Sequence, residues 1–250
     1  MITIKNKSAL QKMATAGQKL SGIFKELPSV IVDGVSTAEI DAFIARQLTS
    51  LEMVSRTKGY MGYRHVSCIS VNDQVVHGVP HKDTVVRVGD LVKVDICASW
   101  KSYCADMARC FFVGEPRDPR AIELVKVTQQ ALDKGIEQAQ VGKRLSDISH
   151  AIQQEIERHG YGVVRDFAGH GIGKQMHEDP EVLNYGKPGR GVVLQAGMTF
   201  AIEPMVTLGG YAVFVTHDGW TVRTEDASLA AHIEDTVAIT HEGPKILTRS

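Results

Sequence analysis

Cysteine is scarce in this chain, and what there is does not pair by spacing. Cys68, Cys97, Cys104 and Cys110 contain no C-x-x-C step, so a zinc knuckle is excluded by ligand spacing. Two disulfides are arithmetically allowed. No secretory h-region follows Met1-Ile2-Thr3-Ile4-Lys5, however, so the thiols read as free in a reducing cytoplasm. No apolar run is long enough to cross a bilayer. Neither sign of charge dominates: 28 basic against 29 acidic residues leave a formal charge of −1, which gives no field for direct nucleic-acid or anionic-membrane binding. What is present is apolar bulk. With 43% hydrophobic residues in 250, the chain can bury a full core.

The residues that stand out are acids where acids are expensive. Gly89-Asp90-Leu91-Val92-Lys93-Val94-Asp95 and Gly197-Met198-Thr199-Phe200-Ala201-Ile202-Glu203 each run a glycine, then largely apolar residues, up to a carboxylate. Burying an unpaired carboxylate is costly. Each is followed by a further acid, Asp106 and Glu234, and between the two halves lies Gly169-His170-Gly171-Ile172-Gly173.

Periodicity predicts helices over 8–26, 36–52, 119–138 and 144–159, the second opened by a Ser36-Thr37-Ala38-Glu39 capping box. Strands are expected at 67–71, 91–99 and 103–113, the last two joined by a turn at Lys101-Ser102, and again at 162–168, 197–206, 211–214, 220–222 and 232–240. Asp95 and Asp106 then belong to adjacent antiparallel strands and can face each other across the ladder. His77-Gly78-Val79-Pro80 precedes Asp95 as His177-Glu178-Asp179-Pro180 precedes Glu203. This internal echo predicts one catalytic domain, 1–250, made of fused pseudo-repeat halves at about 30–140 and 141–245 with a cleft between them.

Asp95, Asp106, His170, Glu203 and Glu234 form an oxygen-dominated set with one imidazole, suited to Mn, Fe, Co or Zn as divalent ions. Four carboxylates suit two ions with bridging acids. An isolated strand Asp is usually an edge or turn residue; it is the recurrence in both halves that favours metal. A zincin helix is excluded, because His177-Glu178 lacks the second histidine and Pro180 would break the helix. The glycines around His170 do not match a dinucleotide loop and read instead as sites of close backbone approach to a metal or substrate.

Together with Gly197-Met198-Thr199-Phe200-Ala201-Ile202-Glu203-Pro204, these segments resemble the type I methionine aminopeptidases almost end to end. The resemblance implies an α+β pita-bread fold, two pseudo-symmetric halves with a central antiparallel sheet and helices outside. It also implies a dimetal hydrolase that removes the initiator methionine of nascent polypeptides when the next residue is small. By the same resemblance Asp95, Asp106, His170, Glu203 and Glu234 hold two divalent ions, and Glu203 also carries a proton. His77 and His177 assist at the scissile amide and its oxyanion. Tyr60, Tyr63, Cys68, Met176 and Trp220 wall a methionine pocket beside those two histidines. Partners would be polypeptide N-termini, with a transient ribosome contact allowed for and a monomer expected. The compact bacterial form is the one resembled.

The departures are Arg64 for a Pro, Met107 for a Thr or Ser after Asp106, Met176 for an aromatic, and Asp235 for a His after Glu234. Any of these near the metal would alter its affinity. Two rivals remain: a proline-directed peptidase of the same fold, which usually carries an extra N-terminal domain, and a non-enzymatic binding protein, which would have lost ligands.

Overall fold

Helices form where the apolar spacing places them. In the computed structural model, which describes residues 2–249, α1 (Lys7–Glu26) is capped by the Asn6 side chain, which accepts the Ala9 N–H, and turns Met13, Ala16, Leu20 and Ile23 inward. α2 (Thr37–Ser50) opens on the expected capping box: Glu39 N–H donates to the Ser36 hydroxyl and the Glu39 carboxylate accepts the Ser36 N–H. α3 (Arg120–Gln138) and α4 (Leu145–Glu157) pack on each other, with Gly135 seated against Ile148 and Ile152.

Short β1 (Val54–Ser55) and β2 (Cys68–Val71) both pair with one edge of β3 (Leu91–Trp100), whose other edge meets β4 (Tyr103–Phe112). Lys101 and Ser102, both at positive φ, make the tight turn between β3 and β4. After α4 come β5 (Gly162–Val163), β6 (Gly169–Gly171), β7 (Glu178–Val182), β8 (Thr199–Ile202) and β9 (Met205–Thr207). They are followed by β10 (Val213–Val215), β11 (Val222–Thr224), β12 (Ala230–His232), β13 (Glu234–Thr240) and β14 (Gly243–Ile246).

Nine strands make one sheet, ordered β1-β3-β4-β13-β8-β6-β7, with β2 added on β3 and β14 on β13. All its pairings are antiparallel. Alternation sorts the two faces. Val92, Val94, Ile96, Ala98, Ala105 and Met107 face α1 and α2 in one apolar cluster. Phe200, Ile202, Val237 and Ile239 join α3 and α4 in another. The opposite face is left for polar side chains.

Several expected strands are interrupted. Residues 197–206 divide into β8 and β9 around Glu203 and Pro204, because Pro204 has no N–H for the ladder. Residues 232–240 divide at Ile233, and of the strand expected over 162–168 only Gly162–Val163 is a strand, with one further bond from the Val164 N–H to the Met205 carbonyl. β6 and β7 went unforeseen because glycine, acid and proline are poor strand formers. β6 becomes a strand by pairing with β8, and β7 by pairing with β6; there Gly169 and Gly171 let backbone approach backbone, since an added Cβ would fall on the carbonyl oxygens of Ala201 and Asp179. The close approach is therefore between neighbouring strands, not to a ligand.

Candidate metal centre

Two rows running across the polar face place the acids. In one, Cys68 pairs with Asp95, Asp95 with Ala108, and Ala108 with Glu234. In the next, two residues away along the strands, Cys97 pairs with Asp106 while Thr236 pairs with Ala201 and Ala201 with His170. Asp106 and Thr236 close that row: the Asp106 N–H donates to Thr236 Oγ1 at 2.8 Å, and the Thr236 hydroxyl donates back to the Asp106 carbonyl at 2.9 Å. Asp95 and Asp106 therefore sit diagonally, not directly opposite, because the two-residue turn at Lys101-Ser102 pairs Trp100 with Tyr103 and so Asp95 with Ala108 and Cys97 with Asp106. Glu203 follows Ile202, the last residue of β8, which pairs with Asp235, so it enters the cluster from the point where the sheet splits.

The donor set is tight and partly unsatisfied. Asp106, His170 and Glu234 present ligand atoms all within 4.8 Å of one another, and so do Glu203, His232 and Glu234. Asp106 Oδ1 and Glu234 Oε1 are buried with no hydrogen-bond partner. Burial pushes the Asp106 carboxyl up to about 7, with the Glu203 charge adding to the effect, and pushes Glu203 up to about 8. Asp95 and Glu234 are also raised, by burial first and by Asp106 next. The imidazoles move the other way: burial lowers His170 to about 3 and His77 and His232 to about 4. His170 Nδ1 lies 2.9 Å from the Gly171 carbonyl, so that nitrogen carries the proton and Nε2 turns its lone pair to Asp106 Oδ2 at 3.9 Å and Glu203 Oε1 at 3.6 Å. Orphaned oxygens, crowded carboxylates and a neutral imidazole fit divalent cations.

Around the cluster is a cavity of about 90 Å³, lined by Tyr60, Tyr63, Cys68, His77, Met176, His177 and Trp220 together with Asp95, Asp106, His170, Glu203 and Glu234. All twelve residues singled out from the sequence thus meet in one place. Thr57 and Cys97 line it too, and neither carried a sequence signal. Tyr63 is held by its hydroxyl, which donates to the Ser67 carbonyl at 3.0 Å, and its ring meets Trp220 edge-on at 5.0 Å. His77 adopts a positive φ of 56° that directs it inward, against the Phe167 ring. His177 Nδ1 is 3.0 Å from the Tyr60 hydroxyl. A wider cleft of about 760 Å³ adjoins the cavity and shares Tyr60, His77, His170, His177 and Glu203 with it, then runs out along Arg165, Asp166 and Glu181.

His232 was not foreseen. It stands two residues before Glu234, a spacing that puts both on one face of an extended chain, and that was the available signal. Met107 and Asp235 turn out to point away from the metal cluster. Met107 is buried in the α1–α2 core. Asp235 accepts from Arg109 at 2.6 Å, Arg249 at 2.7 Å and the Thr248 hydroxyl at 2.7 Å. Arg64 is exposed, and of the four departures only Met176 reaches the cavity.

A helix-backed antiparallel sheet carrying a buried carboxylate–imidazole cluster at a cleft is the frame of a metal-dependent hydrolase. Metallopeptidase family M24 matches residues 11–241. A methionine aminopeptidase of Clostridium acetobutylicum is 47% identical over 248 residues, 99% of either chain. The crystal structure of a methionine aminopeptidase from Thermotoga maritima superposes with a TM-score of 0.97 at 44% identity over the whole of both chains. A prolidase from Pyrococcus furiosus, 24% identical with a TM-score of 0.78, covers 99% of this chain and 65% of its own, and shares the fold alone. The chain belongs to metallopeptidase family M24 and has its pita-bread fold.

Proposed function

We propose that this protein is a methionyl aminopeptidase that removes the initiator methionine from nascent polypeptides when the second residue is small. The observation that carries this reading is the meeting of a small, largely apolar slot with an open polar cleft at the acid cluster. One side chain can enter the slot, the chain behind it can leave along the cleft, and the bond between them then lies beside His77, His177 and Glu203. The relatives at 47% and 44% identity are named methionine aminopeptidases. Met176, Cys68, Tyr63 and Trp220 suit a thioether, which is polarizable and favours aromatic edges.

Asp95, Asp106, His170, Glu203 and Glu234 would hold two divalent ions, of Co, Mn, Fe or Zn. Bound there, the ions would make a water nucleophilic near neutral pH and neutralise the carboxylates. Glu203, which faces both the cavity and the open cleft, would accept the water's proton and deliver it to the leaving amine. With the Tyr60 hydroxyl donating to His177 Nδ1, His177 keeps its proton on Nε2 and can donate to the developing oxyanion. His77 would hold the scissile amide. We read the chain as a single catalytic domain acting as a cytoplasmic monomer on emerging N-termini, with any ribosome contact transient. None of the helices among the described residues is long and apolar enough to cross a membrane.

The test is release of free methionine from Met-Ala-Ser by protein reconstituted with Mn(II), Fe(II), Co(II) or Zn(II), with Ala-Pro as the competing substrate. Chelator and Asp95→Ala should each abolish release. Turnover that persists in metal-free protein, or a preference for Ala-Pro, rejects the reading.

A further inference from the structure

We propose that His232 is a positioning residue for Glu203, its Nε2–H holding one carboxylate oxygen so that the other stays turned toward His170 and the metal pocket. The proposal rests on the reading of Glu203 as ligand and proton carrier. Glu203 is the one of the four acids whose backbone the sheet does not hold firmly: β8 ends at Ile202, and Pro204 cannot continue the ladder. Its side chain also has more rotatable bonds than an aspartate. An unheld carboxylate at this point would rotate between pocket and cleft.

Two contacts prevent that. The Asn184 side-chain amide donates to the Glu203 carbonyl at 3.0 Å, fixing the backbone. His232 Nε2 lies 3.1 Å from Glu203 Oε2, while Glu203 Oε1 faces His170 Nε2 at 3.6 Å. The carboxylate thus lies between two imidazoles, hydrogen-bonded to His232 by one oxygen while the other faces the lone pair of His170. His232 is itself rigid: it is 2% exposed, its residue pairs with Met205 across β12 and β9, and its carbonyl accepts the Cys110 thiol at 3.5 Å. Its ligand atom shares a close group with Glu203 and Glu234 but not with Asp106 and His170, which sets it at the edge of the pocket. A hydrogen-bonded partner on a ligating carboxylate sets that ligand's orientation and basicity.

The experiment compares His232→Gln, which keeps an N–H donor, with His232→Leu, which keeps bulk and loses the donor. Calorimetric titration of Mn(II) into the metal-free proteins gives stoichiometry and affinity, and steady-state kinetics on Met-Ala-Ser gives kcat and KM. His232→Leu should bind the same number of ions as the unaltered protein, about 10–100-fold more weakly, and lose kcat by a similar factor with KM nearly unmoved. His232→Gln should recover most of both. Loss of a whole equivalent of metal in both variants makes His232 a ligand and overturns the proposal. Unchanged affinity and kcat in His232→Leu overturns it as well. Should the leucine variant fail to fold by circular dichroism, the glutamine variant decides alone, and a loss there as deep as that of Glu203→Ala refutes a role met by any donor. Metal-independent turnover in the unaltered protein would sink the reading of Glu203 instead, and is distinguishable because it appears without any change at 232.

Discussion

Glu203 and Asp95 occupy matching places in the two motifs, yet their surroundings divide the work. Asp95 lies in mid-strand between Cys68 and Ala108, fixed by pairing on both sides. Glu203 lies at a strand break with the cleft before it and two imidazoles beside it. Substituting Glu203→Gln keeps the shape and removes the proton carrier, so metal should still bind, more weakly, while kcat falls by about 10²–10⁴. Metal content by mass spectrometry alongside kcat checks this, and near-normal turnover would refute it. At this scale the residues were informative where the motif recurred, at the acids and at the two histidines three places before a proline; the pocket residues came from the family resemblance, and all of them line one cavity. The sequence misled where adjacency was taken for proximity. Met107 and Asp235 are neighbours of ligands in sequence, and strand alternation sends them to the opposite face. His232 shows the converse, since two residues' separation puts it beside Glu234.

Among the elements, the segment from Gly173 to Glu178 presents His177, and the chain's first residues hold it. Glu178 accepts the backbone N–H of Lys174 at 2.9 Å and of Gln175 at 3.3 Å, while its other oxygen takes the Lys5 ammonium at 2.8 Å and the Thr3 hydroxyl. Lys5 is anchored in turn through its N–H to the Gly197 carbonyl. Lys5→Met should leave the half-buried Glu178 carboxylate without its cation, at a cost of about 1–2 kcal/mol, because the Lys174, Gln175 and Thr3 hydrogen bonds remain. Hydrogen exchange at 173–177 should quicken and kcat should fall, with metal affinity unchanged, because none of the five acid and imidazole positions lies in that segment. Equal exchange rates in the two proteins would reject the strap. The helices were legible in advance to within a few residues because amphipathic spacing and caps are local signals. β6 and β7 were not, since neighbouring strands, not their own residues, make them strands.

The whole molecule carries the cluster as a liability until cations fill it. Asp106 and Glu203, raised by burial to about 7 and about 8, favour the folded state below their unfolded values near 4, and that contribution is lost as pH rises through the folded ones. His170, His77 and His232 are lowered, so they oppose folding in acid and cease to matter above about pH 6.5. Metal-free protein should therefore lose thermal stability between about pH 6.5 and 8.5, and saturating Mn(II) should remove that fall. Melting curves across this range with and without metal are the measurement, and a pH-independent difference between the two would contradict it.

Glu234 and Asp235 are adjacent acids on opposite faces of β13, so a one-residue slip against β4 would still offer the metal an acid. The pairing at Arg109 and Arg249 makes that error conspicuous: a slipped strand would draw Asp235 away from two guanidinium groups and push Glu234 into their place with the wrong reach. The ion pairs of Asp235 on the helix side therefore favour the register that leaves Glu234 on the metal side, independently of any ion.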